Sequence, residues 1–185
     1  DDARLWNDVF DYAEARLALG PGTIRATVLV ETIHAAFEME EILYELRDHI
    51  TGLHTGNWDY LFSMAKTFRA DPAFVLPDRD RISVTTPFMR AFTELLVATC
   101  HRRGAHAIGG MSGINPEGED EERVASALRK VTVDKRREVG DGFDGTRIAH
   151  PALVPHVAAQ FEKVLGTRPN QVSRQRDDVY VTADD

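Results

Sequence analysis

Two acids have the types and spacing for chemistry. Glu31 directly follows the apolar run from Ile24 to Val30, and Asp59 lies 28 positions later in the turn-like segment Gly56-Asn57-Trp58-Asp59. A carboxylate at the end of an apolar strand costs free energy unless it is paired, hydrogen-bonded or bound to a metal. Two carboxylates facing one cavity also repel each other, and a divalent cation removes that conflict. Mg2+ takes oxygen ligands, keeps several waters and uses one or two protein carboxylates, so substrate oxygens can fill the remaining positions. Spacing alone leaves a plainer alternative open. Glu31 then sits near a helix N-terminus, favourable toward the dipole, and Asp59 is a turn residue.

The elements around the two acids must place them together. Ile24 to Val30 is short, rich in β-branched residues and bounded by Pro21-Gly22. It reads as a strand buried on both faces, as in a parallel sheet. Ile33, Phe37, Leu43, Leu46 and Ile50 recur at helical spacing and predict a helix that closes at Thr51-Gly52. The acids then stand near the ends of consecutive strands with one crossover helix between them. In a parallel α/β barrel those ends open into one site.

The rest of the chain repeats this alternation. Leu5, Trp6, Val9, Phe10, Ala13 and Leu17 form a helical stripe within residues 1–20, stopped by Gly20-Pro21-Gly22. A loop from Arg69 to Arg81 leads to a helix begun by Thr86-Pro87, with proline in the first turn. That helix carries Phe88, Phe92, Leu95, Leu96 and Thr99 and ends in the basic turn His101-Arg102-Arg103-Gly104. Ala105 to Gly110 reads as a third strand. Gly109-Gly110-Met111 leaves it, either as a close backbone approach to a ligand or as a tight turn. A loop from Ser112 to Pro116 and the acids Glu117 to Glu122 open a charged helix through about Glu138, with a solvated face. Gly140 to Thr146 reads as a flexible turn, and Arg147 to Pro151 as the fourth strand and its exit. His150 reads as structural. Leu153 to Leu165 is a last amphipathic helix ended by Gly166, and 167–185 is a polar tail.

Composition narrows the function classes. The net charge of −8, from 30 acidic against 22 basic residues, argues against nucleic-acid and anionic-membrane partners. No apolar run reaches the ~18 residues of a membrane span. The start Asp1-Asp2-Ala3-Arg4 is not a signal peptide. The single cysteine, Cys100, reads as a small buried hydrophobe and excludes an internal disulfide, so a cytoplasmic location is expected.

The segment TIRATVLVETIHAAFEMEEILYELRDHITGLHTGNWDYLFS, then FVLPDRDRISVTTPFMRAFTELLVATCHRRGAHAIGGM and DKRREVGDGFDGTRIAHPALV, resemble the malate synthase family in its shorter bacterial and plant form. The resemblance covers nearly the whole chain. It implies that Glu31 and Asp59 are Mg2+ ligands. It also implies that Gly56, Asn57, Trp58 and Asp59 bind glyoxylate through backbone N–H groups. Gly110, Met111, Arg147 and Pro151 fall on the acetyl-CoA side, and Lys135 matches a lysine of the family's Asp-Lys motif. The family's substrate-binding arginine and catalytic aspartate lie in regions outside this sequence. The chain departs from the family at Asn57, usually arginine, and at Arg147, usually a tryptophan that shields the reacting carbons. An arginine there can pair with a carboxylate or phosphate instead.

The fold expected is α/β of TIM-barrel type, a partial (β/α) barrel of about four strands forming a single unit over residues 1–185. A whole barrel needs ~250 residues. The function implied is Mg2+-dependent condensation of acetyl-CoA with glyoxylate to malate, a glyoxylate-cycle step. The alternatives are a malyl- or citramalyl-CoA lyase of the same superfamily, and a non-catalytic shortened paralogue acting as a binding subunit. Open strand edges and an uncovered interior, with Val28, Val30, Ile108 and Ile148 as its candidate lining, imply self-association or the remainder of a longer chain.

Overall fold

The computed structural model describes residues 2–112 and 121–182. The loop residues 113–116 and residues 117–120 of the acidic run lie outside the described residues. The elements run α1 (Asp2–Arg16), β1 (Ala26–Val30), α2 (Ile33–Phe37), α3 (Met39–Glu45), β2 (Ile50–Thr55), α4 (Asn57–Thr67), α5 (Pro87–Arg102), β3 (His106–Ser112), α6 (Glu121–Asp141), β4 (Gly145–Ile148) and α7 (Val154–Leu165). Short 3-10 turns occupy Pro72–Phe74, Arg79–Arg81 and Pro151–Leu153. The four strands form one parallel sheet in the order β1-β2-β3-β4. No helix among the described residues is long and apolar enough to cross a membrane.

The segment after Glu31 differs from its sequence reading. The helix breaks at Glu38 into α2 and α3, and Ile50 begins a strand where a helix end at Thr51-Gly52 was expected. Pairing decides this. β2 lies between β1 and β3, with Val28 opposite Leu53 and Leu53 opposite Ala107. Likewise α6 runs on to Asp141 and β4 begins at Gly145, inside the stretch expected to be a flexible turn.

Side chains alternate across the strands. Val28, Val30, Leu53 and Ala107 pack with Met39, Leu43, Phe92, Leu96 and Cys100 on the helix-covered face. Ile148 packs with Val131, Val139, Leu153, Val157 and Phe161. Val28, Val30 and Ile148 therefore join the outer core and do not line the barrel interior as expected. The interior row is Leu29, His54, Ile108 and Gly145, paired in register across the sheet. Ile148 lies three residues past the interior Gly145, so period two places it on the opposite, helix-covered face. Burial pushes the Cys100 thiol up to about 12, which leaves it an inert core group.

The polar tail is docked at the amino ends of the strands, away from the barrel interior. Gln171 Nε2 donates to the carbonyls of Val139 and Phe143, both at 2.9 Å. His101 Nδ1 meets the Arg174 carbonyl at 2.6 Å, and Arg176 donates to the Asp141 carbonyl at 2.6 Å.

A clasp ties α1 to the sheet. The Glu14 carboxylate accepts from Ile24 N at 2.7 Å and Gly22 N at 2.9 Å. His49, fully buried, meets the Ile24 carbonyl at 2.9 Å and Asp11 Oδ1 at 3.0 Å. Asp11, Glu14 and His49 stand close enough to share an ion. Their atoms are already engaged with backbone and with one another, so they act as a clasp. Burial lowers the His49 pKa, but the Ile24 carbonyl, Asp11 and Glu14 outweigh it and hold it above 6.5. A raised histidine pKa stabilises fully below 6.5, and that contribution is lost as pH rises through the folded value. Urea unfolding should therefore show a stability loss on the alkaline side of 6.5 that is flattened in His49→Gln. Parallel pH curves for the two proteins would reject the clasp.

Candidate active site

Glu31 is the first residue after β1 and is half-buried. Gly56 caps α4, and a Cβ placed on Gly56 would lie 2.4 Å from Glu31 Cβ, so the strand end and helix start are in direct contact. Asp59 is exposed in the first turn of α4. Burial first, and then the charge of Asp59, hold the Glu31 carboxyl above the ordinary carboxylate range. The fold thus brings the two acids together at the carboxyl ends of β1 and β2, although Asp59 rides on a helix and not in a turn.

The α4 N-terminus faces the same mouth. Gly56 supplies no side-chain cap, and the helical ladder begins with Tyr60 N donating to the Gly56 carbonyl at 2.8 Å. The N–H groups of Asn57, Trp58 and Asp59 therefore have no partner within the helix, and the dipole favours an anion there. Trp58 is half-exposed and carries the Arg79 guanidinium 4.0 Å over its ring. Asn57 packs on Gly110, where a Cβ would meet Asn57 Nδ2 at 2.3 Å and Thr55 Oγ1 at 3.1 Å. A cavity of about 560 Å³ opens beside Asn57, Trp58, Arg79, Met111 and Asp134.

β3 and β4 supply the other wall. Lys135, fully buried, donates to the Gly110 carbonyl at 2.5 Å and to Glu138 at 2.9 and 3.0 Å, with Asp134 Oδ2 at 3.3 Å. Lys135 is therefore not on the solvated face expected of this charged helix. Burial pushes the Glu138 carboxyl up to about 7 against the pull of Lys135. A Cβ on Gly109 would lie 2.2 Å from Glu138 Oε2, so the first glycine of the pair admits this carboxyl. Met111 and Arg147 are exposed at the ends of β3 and β4, and Pro151 is exposed at the start of its 3-10 turn. His150 caps that turn through Ala152 N at 3.2 Å, a structural task. Asp141 is paired with Arg90, and Asp144 is held by His101 at 3.0 Å beneath the amino end of β4. Neither carboxylate faces the mouth.

Sequence reasoning missed His54, Thr55 and Glu138. His54 Nε2, Thr55 Oγ1 and Asn57 Oδ1 are buried without a hydrogen-bond partner among the described residues. Burial, then Arg147, drive the His54 imidazole down to about 4, so it is neutral near pH 7. Once Ile50 to Thr55 is seen as a strand, period two places His54 on the interior face, a signal hidden by the helical reading.

Residues 1–185 match the family model described as the malate synthase TIM barrel domain. The chain belongs to this family. It is 62% identical over 183 residues to a Streptomyces clavuligerus protein named malate synthase, covering 98% of the chain and 34% of that relative. It is 49% identical over 184 residues to malate synthase A of Escherichia coli, covering 99% and 34%. The chain thus spans about a third of the length of these malate synthase relatives. Among solved structures, a citrate lyase from Burkholderia xenovorans aligns with a TM-score of 0.59 at 19% identity, covering 80% of this chain and 41% of that one. A citrate lyase beta subunit from M. tuberculosis, complexed with oxaloacetate and magnesium, aligns at 0.55 and 18%, covering 74% and 52%. These structural likenesses establish the barrel fold, of which the described residues hold four strands.

Proposed function

We propose that this chain carries the metal-binding half of the active site of a malate synthase, which condenses acetyl-CoA with glyoxylate. The observation that carries the reading is the Glu31–Asp59 pair at adjacent strand ends in a malate synthase domain. The pair suits Mg2+: both donors are hard oxygens, they repel each other without a cation, and the site is open on the α4 side. Mg2+ held by Glu31 and Asp59 would supply Lewis-acid polarisation of the aldehyde. The free N–H groups of Asn57, Trp58 and Asp59 would hold the glyoxylate carboxylate at the positive end of α4. Gly110, Met111, Arg147 and Pro151 would line the acyl-CoA side. The proton-abstracting base would come from outside residues 1–185, which we read as a single partial barrel completed by the remainder of a longer polypeptide.

The test follows thiol release from acetyl-CoA with glyoxylate and Mg2+, comparing the full-length protein with residues 1–185 alone. The full-length protein should turn over, and the short chain should fall below it by at least the ~10²–10⁴-fold that a general base contributes. A short chain as fast as the whole, or a whole protein inert with both substrates, would defeat the reading.

A further inference from the structure

Regular strand pairing stops at the diglycine of β3. The β2–β3 register ends with His54 opposite Ile108, and the β3–β4 register jumps from Gly109–Thr146 to Ser112–Ile148. Gly110 and Met111 lie outside both ladders. The Gly110 carbonyl is turned toward Lys135 Nζ at 2.5 Å and Thr146 Oγ1 at 3.4 Å, on the side of α6 and β4. The described chain contains no cis peptide bond, and a trans peptide points its N–H opposite to its C=O. The Met111 N–H is therefore aimed away from α6 and β4, toward the carboxyl end of β2. Thr55 stands there, 1% exposed, with its hydroxyl unpartnered among the described residues and Asn57 beside it.

Resting on the condensation reading, we propose that the Met111 N–H and the Thr55 hydroxyl form a two-donor cradle for the carbonyl oxygen of an acyl thioester, and that Lys135 is the positioning residue that holds this peptide in place. The charge balance fits such a ligand. Lys135 is neutralised locally by Glu138 and Asp134, so the cradle offers neutral donors, which suit a carbonyl oxygen more than a free anion. The N–H groups at the start of α4 would serve the carboxylate partner.

The cradle is tested in the full-length protein labelled with 15N-methionine, with the Met111 amide assigned through Met111→Leu. Acetyl-CoA should move the Met111 amide proton downfield, and CoA, which lacks the carbonyl, should not. Thr55→Val should lower kcat by ~10²-fold, the loss expected for one such donor, with KM for glyoxylate unchanged and stability undiminished, because that hydroxyl has no partner to lose among the described residues. Thr55→Ser should restore kcat. Lys135→Met combined with Glu138→Gln avoids stranding a buried charge and should abolish the amide shift. Binding of acetyl-CoA without turnover overturns the condensation reading and leaves the cradle standing. Turnover with an unmoved Met111 amide, or equal shifts from CoA, overturns the cradle alone. Absence of acetyl-CoA binding in calorimetry overturns both.

Discussion

Replacing Glu31 by Gln is expected to abolish the response of the protein to Mg2+. Wild-type protein should gain about 2.7 kcal/mol of stability when Mg2+ is present at 100 times its Kd. The variant keeps the shape of the side chain and loses the charge of one of the two proposed ligands. Its Mg2+-induced shift should vanish, and turnover in the full-length protein should fall on the order of 10²–10³-fold, since Lewis-acid polarisation is worth several kcal/mol. The metal-free variant should be no less stable than the metal-free parent. Burial and the neighbouring Asp59 already disfavour the charged form of Glu31, so removing the charge relieves a repulsion. Scanning calorimetry with and without Mg2+ separates these effects. Equal Mg2+ shifts in parent and variant would show that Glu31 is not a ligand.

Gly52→Ala should be the most damaging small substitution in the sheet. Gly52 sits in β2 opposite His106 of β3, and a Cβ there would lie 2.1 Å from the His106 carbonyl oxygen and 2.9 Å from its carbon. Both atoms are backbone, so no rotamer change relieves the contact. The two strands must separate, and the pairing that carries Gly56, Asn57 and the α4 N-terminus to the mouth separates with them. The cost should exceed the ~1–3 kcal/mol usual for overpacking. Gly140→Ala is the matched control. It lies in α6 with open space around its missing Cβ, and it should be neutral or stabilising by up to ~1 kcal/mol as a helix position. Urea midpoints at unchanged m-value give both numbers. A Gly52→Ala protein as stable as the parent would mean that the β2–β3 pairing described here is wrong.

The amino-acid sequence alone determined the local matters. The apolar run before Glu31, Pro87 at the start of α5, and Gly166 closing α7 each follow from side-chain chemistry within a few residues. The parallel α/β class and the family followed from the strand–helix alternation and the long motifs around Glu31, Asp59 and Gly110. Tertiary structure decided what depends on partners distant in sequence. Ile50 fits a helical period as well as a strand, and only β1 and β3 on either side make it the start of β2. The faces of Val28, Val30 and Ile148 depend on register, and the pairing of Ile108 with Gly145 leaves Ile148, three residues on, facing the helices. Lys135 looks like a surface lysine in a charged helix. Its burial follows from two glycines 25 and 26 residues earlier: the missing side chain of Gly109 leaves room for Glu138, and the Gly110 carbonyl receives the ammonium.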